Sequence, residues 1–215
     1  MVIFQPERIL LRVQIRKYSP YVKGVVLDAG SGKSNRYSDF FDNVSKYITL
    51  DIDPDNNPEI IASVEDIPLS DESIDTVIST QVLEHLKSPE LAIKEFYRVL
   101  KHGGYALVTI PQCGELHEEP NDYFRFTNFG IKYLFENAGF ELISIDQRGG
   151  FFSTIAQLKI RYLIDRFDLY DRKLTILFLP IFKLYGKFMI FLDKQDNSSA
   201  NKKHALGWCL LVQKK

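Results

Sequence analysis

Two carboxylates and a glycine turn are the residues of this chain best spaced for chemistry. Val25-Val26-Leu27 runs apolar into Asp28-Ala29-Gly30-Ser31-Gly32, and a second apolar run, Tyr47-Ile48-Thr49-Leu50, ends on Asp51. Glycine tolerates positive φ and carries no Cβ, so Gly30 and Gly32 let backbone N–H groups approach a ligand. A carboxylate at a strand end offers two acceptor oxygens to vicinal hydroxyls. A glycine turn followed at roughly twenty residues by such a carboxylate is how an open α/β sheet grips a nucleoside. A second concentration of reactive groups lies at Cys113-Gly114-Glu115-Leu116-His117-Glu118-Glu119-Pro120-Asn121-Asp122-Tyr123-Phe124-Arg125-Phe126-Thr127. It mixes an imidazole, carboxylates, a phenol and a guanidinium, the side chains that move protons and hold polar substrates.

Three nucleoside ligands compete for the glycine turn. A phosphate-binding P-loop needs a glycine where Leu27 stands in the strand, so Gly32-Lys33-Ser34 does not complete that motif. A dinucleotide site prefers a third glycine at Asn35, and it gives no reason for an acid at Asp28. Asp28-Ala29-Gly30-Ser31-Gly32 resembles the first motif of the class I S-adenosylmethionine-dependent methyltransferases, D/E-x-G-x-G, with Ser34 at the position that often carries a third glycine.

Other segments share that resemblance. Thr49-Leu50-Asp51-Ile52-Asp53-Pro54 is similar to the family's second motif, which places Asp51 on the ribose hydroxyls with Ile52 beside it. Asp53 is the near alternative, although its place before Pro54 suits the start of a turn. Ala62-Ser63-Val64-Glu65-Asp66-Ile67-Pro68 resembles the adenine loop. Ser63 stands where an adenine-binding Asp is usual, and Val64 where a backbone N–H meets the ring. Gln81-Val82-Leu83-Glu84-His85-Leu86 resembles the V-L-E-H-V element, with Thr80 and Gln81 at the carboxyl end of a central strand. Pro120 to Thr127 is similar to the P-x-D-Y-x-R-F-T segment of bacterial methyltransferases associated with surface polysaccharides and other glycans.

The resemblance implies S-adenosyl-L-methionine as cofactor, bound by Asp28, Ala29, Gly30, Gly32, Asp51, Ile52, Ser63, Val64, Thr80 and Gln81. It implies methyl transfer, which we expect to go to an oxygen of a sugar, lipid-linked sugar or other small molecule. For the base the sequence offers His117 first and Asp122 second, with Tyr123 and Arg125 positioning the acceptor. Asp122 and Arg125 could instead pair to brace the loop. His85 reads as a histidine packing its loop or as a base. With no cysteine or second histidine at ligand spacing, no metal is assigned.

Stepping outward, strands alternate with helices. A helix is expected over 89–100, with His102-Gly103-Gly104 as its stop, and another from the Thr127 cap through Glu136 with Gly139 after it. The expected fold is α/β and Rossmann-like: a seven-stranded, mostly parallel sheet with helices on both faces and an antiparallel last strand over Gly207–Gln213. One domain spans 1–215, with a helical insertion at 149–205. Two apolar helical patterns mark the insertion, one near Ile155–Phe167 and one near Leu174–Leu192 with Pro180 and Gly186 as breakers. Lys183 and Lys187 sit too centrally in the second for a spanning helix, so it reads as a lid, a subunit contact or a peripheral membrane helix.

The 215 residues carry a formal charge of −1, divided unevenly. Residues 151–215 hold 12 Lys and Arg against 5 Asp and Glu. That balance suggests an anionic partner on one side. Arg8, Arg12 and Arg16 form a stripe on an expected N-terminal helix, with Ile9, Leu10 and Val13 toward the core. Glu7, Arg8 and Arg12 interrupt any signal-peptide pattern, and two cysteines make no disulfide framework; a cytoplasmic location follows as the expectation. Nucleic acid is disfavoured as acceptor because the N/D-P-P-Y/F motif is missing and the basic residues lie away from the core. A non-enzymatic alternative is a cofactor-binding scaffold that recruits partners through the insertion. The sequence sets no oligomeric state.

Overall fold

The computed structural model describes residues 4–33, 37–169 and 175–215. Ser34 and Asn35, whose positions distinguish the glycine motifs, lie outside the described residues. Seven strands form one sheet: β1 (Lys23–Ala29), β2 (Asn43–Asp51), β3 (Ile60–Ile61), β4 (Ile74–Thr80), β5 (Leu100–Pro111), β6 (Phe140–Arg148) and β7 (Gly207–Lys214). Their spatial order is β3-β2-β1-β4-β5-β7-β6. The β3-β2-β1-β4-β5 part is parallel, and β7 runs antiparallel to both neighbours. The order reverses between β1 and β4, so the crevice at that switch point opens beyond the carboxyl ends of the parallel strands.

The strands are buried on both sides, which is why they read as continuous apolar runs. Consecutive residues of β1 face opposite ways. Leu27 joins the core under α2 (Pro89–Val99) and α3 (Asn128–Asn137), with Ile93, Phe96, Ile131 and Phe135. Val26 joins the core under α1 (Pro6–Tyr18), with Leu11, Ile15, Ile78 and Leu107. Removing a side chain of this size from water contributes about 1.5–3 kcal/mol.

Three local expectations are corrected. On α1 the buried face is Leu11, Gln14, Ile15 and Tyr18, while Ile9 and Val13 are exposed. The stripe of arginines is not simply solvated: the Arg12 and Arg16 guanidiniums both lie 4.7 Å from the Phe40 ring centre. These cation–π contacts add to the burial of Leu11, Ile15 and Tyr18 on the inward face. Next, α2 ends at Val99, where Leu100 turns extended, and Gly103 and Gly104 fall inside β5 rather than stopping the helix. Finally, Pro180 and Gly186 do not break the insertion's second helix.

The insertion is α4 (Phe151–Arg166) followed by α5 (Thr175–Gln195), placed between β6 and β7. The two helices share a small core of Ile160, Ile164, Leu169 and Phe182. Gly186 admits the N-terminal segment: a Cβ there would lie 2.4 Å from a Phe4 ring carbon. The insertion meets the domain at two further places. The Glu7 N–H donates to Gln157 on α4 (3.3 Å), and the Arg161 guanidinium pairs with Glu115 in the loop after β5. The same side of the domain holds a buried guanidinium: Arg148 donates to Gln14 (3.0 Å), Glu7 (3.1 Å) and the Trp208 carbonyl (3.3 Å). No described helix is long and apolar enough to cross a membrane.

Candidate active site

The glycine turn and the strand-terminal acid bond directly to each other. Gly30 and Ser31 donate their N–H groups to the Leu50 carbonyl (2.8 and 3.0 Å), fixing the turn over the end of β2. Gly32 donates to Asp51 Oδ2 (2.7 Å). Asp51 Oδ1 accepts from the Asp53 N–H (2.9 Å) and Asn56 Nδ2 (3.1 Å). Asp53 caps the following turn by accepting from the Asp55 N–H (3.0 Å), as its position before Pro54 implied. Gly30 must be glycine for two reasons: its φ is +80°, and a Cβ would lie 2.5 Å from Val82 Cγ2.

Asp28 is buried and accepts a hydrogen bond from the Tyr47 hydroxyl (2.8 Å). Burial, and then the Asp28 carboxylate, keep that phenol protonated well above the usual range for tyrosine. Tyr47 is a partner that the motifs missed. Its one signal is a polar tip within the apolar run of β2. Ala29 is buried at the end of β1, and Ile52 stands 72 % exposed beside Asp51, an apolar surface next to the carboxylate.

The Ser63 hydroxyl accepts from the Glu65 N–H (3.1 Å), so it already shapes its turn, and Val64 is buried. An ion-pair network on α2 holds this loop. Arg98 donates to the Ile67 and Leu69 carbonyls (both 2.8 Å), and Glu95 accepts from the Ile67 N–H (2.9 Å). The Arg98 hydrogen bonds lower the Glu95 carboxyl below its ordinary range. At the end of β4, beyond Thr80, Gln81 adopts a left-handed conformation (φ +57°). Its N–H bonds the Thr109 carbonyl (2.9 Å), and its amide the Thr109 hydroxyl (3.3 Å). A non-glycine residue held there is strained, and such strain concentrates at functional sites.

The loop after β5 closes over the turn that follows Gln81. Tyr123 and Phe124 donate their N–H groups to the Glu84 carbonyl (2.9 and 3.1 Å). The Asp122 carboxylate, 2 % exposed, is held by both terminal nitrogens of Arg125 and by the His117 N–H (3.0 Å). The Arg125 bonds hold the Asp122 carboxyl down at about 2. Arg125 also donates to the Glu115 and Phe124 carbonyls (2.9 and 3.0 Å). Tyr123 is exposed, its hydroxyl on Asn121 (3.0 Å). His117 is brought against His85, from a different strand end, with ring centres 4.8 Å apart. The Glu84 side chain is fully buried beneath them, with neither carboxylate oxygen hydrogen-bonded, and burial pushes its carboxyl up to about 8. The sequence gave no sign of this juxtaposition. Cys113 is half-buried, its thiol raised by burial, and Cys209 is buried and pushed up to about 12 by the same cause; neither is poised as a nucleophile.

A sheet of order β3-β2-β1-β4-β5-β7-β6 with an antiparallel β7, and a glycine turn closed on a strand-terminal acid, define a class I S-adenosylmethionine-dependent methyltransferase fold. Residues 27–108 match the family model described as a methyltransferase domain. That match runs from β1 into β5 and includes the glycine turn, the part of the chain that resembles the S-adenosylmethionine-dependent enzymes. A protein of Mycolicibacterium smegmatis named "Probable S-adenosylmethionine-dependent methyltransferase" is 29 % identical over an alignment of 133 residues that covers 54 % of this chain and 52 % of the relative. The chain spans about half the length of the curated relatives it matches first. Among solved structures, a SAM-dependent methyltransferase from Archaeoglobus fulgidus superposes with a TM-score of 0.61 at 16 % identity, over 96 % of this chain and 94 % of the other. The [4+2]-cyclase SpnF superposes with a TM-score of 0.63 at 18 % identity, over 95 % of this chain and 80 % of the other. At these identities the structural likeness concerns the fold alone.

Proposed function

We propose that this protein transfers the methyl group of S-adenosylmethionine to an oxygen of a sugar, a lipid-linked sugar or another small hydroxyl compound. The observation that carries the reading is the contact between the cofactor turn and the histidine pair. Gly30 abuts Val82, and Val82 opens the short turn that bears Glu84 and His85, against which His117 packs. A methyl donor held on the glycine turn would thus face a rim of two imidazoles.

In the reaction an acceptor hydroxyl attacks the methyl carbon in line with the departing sulfur. A C–O bond forms, the C–S bond breaks, the sulfonium becomes a thioether and the hydroxyl proton is released. The cofactor supplies the leaving group. Alignment by the protein can contribute on the order of 7–11 kcal/mol. We assign the drawing-off of the proton to the His85–His117 pair. Asp122 is a poor base, because Arg125 stabilises its charged form. Asp122 and Arg125 brace the loop, and Tyr123, exposed at its edge, positions the acceptor.

The ligand set of the cofactor follows the motifs. Asp51 takes the ribose hydroxyls, Ile52 and Val64 enclose the adenine, and Asp28 with Gly30 and Gly32 faces the methionine end. Gln81 and Thr80 line the floor. The insertion is the candidate contact for a lipid surface: Ile181, Leu184, Phe188 and Phe191 are exposed on α5 beside Lys183 and Lys187. A lipid-linked acceptor would be presented there, and sedimentation with anionic vesicles that Leu184→Asp abolishes would support it.

The deciding experiment is thermal stabilisation by S-adenosylhomocysteine against NAD and ATP, followed by methyl transfer to glycan, lipid and RNA panels. A ligand at about one hundred times its Kd adds roughly 2.7 kcal/mol. No response to S-adenosylhomocysteine refutes the cofactor. Binding without turnover on any panel favours the scaffold reading, and turnover on RNA alone the nucleic-acid reading.

A further inference from the structure

We propose that Glu84, His85 and His117 form a binding site for a divalent transition-metal ion. One ligand atom from each of the three lies within 4.8 Å of the others. Ligands sharing an ion at about 2.0–2.2 Å sit roughly 3–4 Å apart, so about 1 Å of side-chain movement closes the set.

Three observations point to a cation rather than to chance proximity. First, the Glu84 carboxylate is fully buried with neither oxygen hydrogen-bonded and His85 Nε2 3.9 Å from Oε1, while most buried polar groups are hydrogen-bonded. Second, each imidazole is oriented through its Nδ1. His85 Nδ1 lies 2.6 Å from the Asn121 carbonyl. His117 Nδ1 lies 3.3 Å from the Glu115 carbonyl, 3.4 Å from Asp122 Oδ2 and 3.4 Å from Arg125 Nη2. In the tautomer that donates from Nδ1 to the carbonyl, the Nε2 lone pair is left free, which is the outer-shell arrangement of metal-binding histidines. Third, the His85 and His117 side chains are 16 % and 35 % exposed, so an ion has a way in to the buried carboxylate.

Two imidazoles and one carboxylate favour a borderline cation such as zinc, manganese, iron or cobalt over magnesium or calcium. Three protein ligands leave at least one position open. Its use in catalysis rests on the methyl-transfer reading. There the open position would take an acceptor hydroxyl, and the ion would lower its pKa so that its proton leaves to solvent as the C–O bond to the methyl group forms and the C–S bond breaks. With an ion bound, His85 and His117 would promote loss of that proton to solvent as ligands of the ion, in place of uptake by the imidazoles of the ion-free site. An ion there would also give the buried Glu84 carboxylate a cation in direct contact.

The test uses the full chain after treatment with EDTA, titrated calorimetrically with Zn2+ and by visible absorption with Co2+. One ion per chain is expected, with Co2+ bands typical of mixed N/O ligation. Loss even of an outer-shell partner typically weakens metal binding about 10–100-fold, so Glu84→Gln and His117→Ala should each weaken Zn2+ binding by at least about tenfold. His102→Ala, near the amino end of β5 and so at the other end of the strand from the His117 loop, should leave it unchanged. Should Glu84→Gln fail to fold, His85→Asn serves in its place. Equal Zn2+ affinity in the wild type and the ligand variants overturns the site. Stabilisation by S-adenosylhomocysteine, measured on the same samples, reports separately on the cofactor. Its absence with tight Zn2+ binding would overturn the methyl-transfer reading and leave the metal site standing.

Discussion

Asp51 is the sharpest point at which to perturb the cofactor site, because its neighbour Asp53 is a built-in control. In Asp51→Ala the ribose hydroxyls lose a charged acceptor. A hydrogen bond to a charged group contributes about 1.5–3 kcal/mol, and two hydroxyls share this carboxylate. The full sum will not appear, because the Asp51 oxygens already accept from Gly32, Asp53 and Asn56 in the free protein, which leaves less of their acceptor capacity for the ribose. A net loss of about 2 kcal/mol is expected, roughly a thirtyfold rise in Kd for S-adenosylhomocysteine. Asp53→Ala removes only a turn cap on an exposed loop, with a stability cost of about 0.5–2 kcal/mol and little change in binding. Titration calorimetry of both variants, with circular dichroism to confirm the fold, decides the matter. A larger loss of affinity in Asp53→Ala would refute the assignment of the ribose to Asp51.

Gly30→Ala should weaken S-adenosylhomocysteine binding at least about tenfold, since the left-handed φ alone costs about 1–2 kcal/mol and the new methyl meets Val82. Val82→Ala in that background should restore part of the loss, and no recovery would remove the contact from the account. Arg148→Ala should lower the unfolding free energy by about 3 kcal/mol in urea, because it orphans Gln14 and Glu7 beside a buried site; a change below about 1 kcal/mol would contradict the pairing. Glu95 has a folded pKa below its unfolded value, so its stabilisation is fully present above the unfolded pKa and is lost as pH falls through the folded one. Glu95→Gln should therefore be less stable than the wild type at pH 7, with the gap closing under acid; a gap independent of pH would show that the ion pair is not its source.

Much of the sheet was legible because its strands are short apolar runs ended by Asp, Gly or Pro, and the motif residues sit where β1, β2 and β4 end. Helix α1 was misread for a physical reason. Its inward face carries Gln14, which serves the buried Arg148, and Tyr18, while two of its arginines lie on Phe40. Hydropathy ranks those residues as outward and Ile9 and Val13 as inward, and tertiary partners override the ranking. Gly103 and Gly104 gave a stop signal one strand too early, since the chain had already left the helix at Leu100. The pairing of His85 with His117 could not be read from spacing, because the two come from loops after different strands, and only the order β4-β5 makes them neighbours. The Ser63 hydroxyl shows the converse: a residue in a motif position whose oxygen also serves its own turn.

The bond between Arg161 and Glu115 joins two parts of the chain that otherwise have separate cores. Glu115 offers its carboxylate to α4 and its carbonyl to Arg125, and Arg125 grips Asp122, which holds the backbone of His117. The loop that carries His117 is thus tethered at one end to a helix of the insertion. A surface that captures the insertion would in this way set the tension of the histidine loop, making attachment and turnover two ends of one lever.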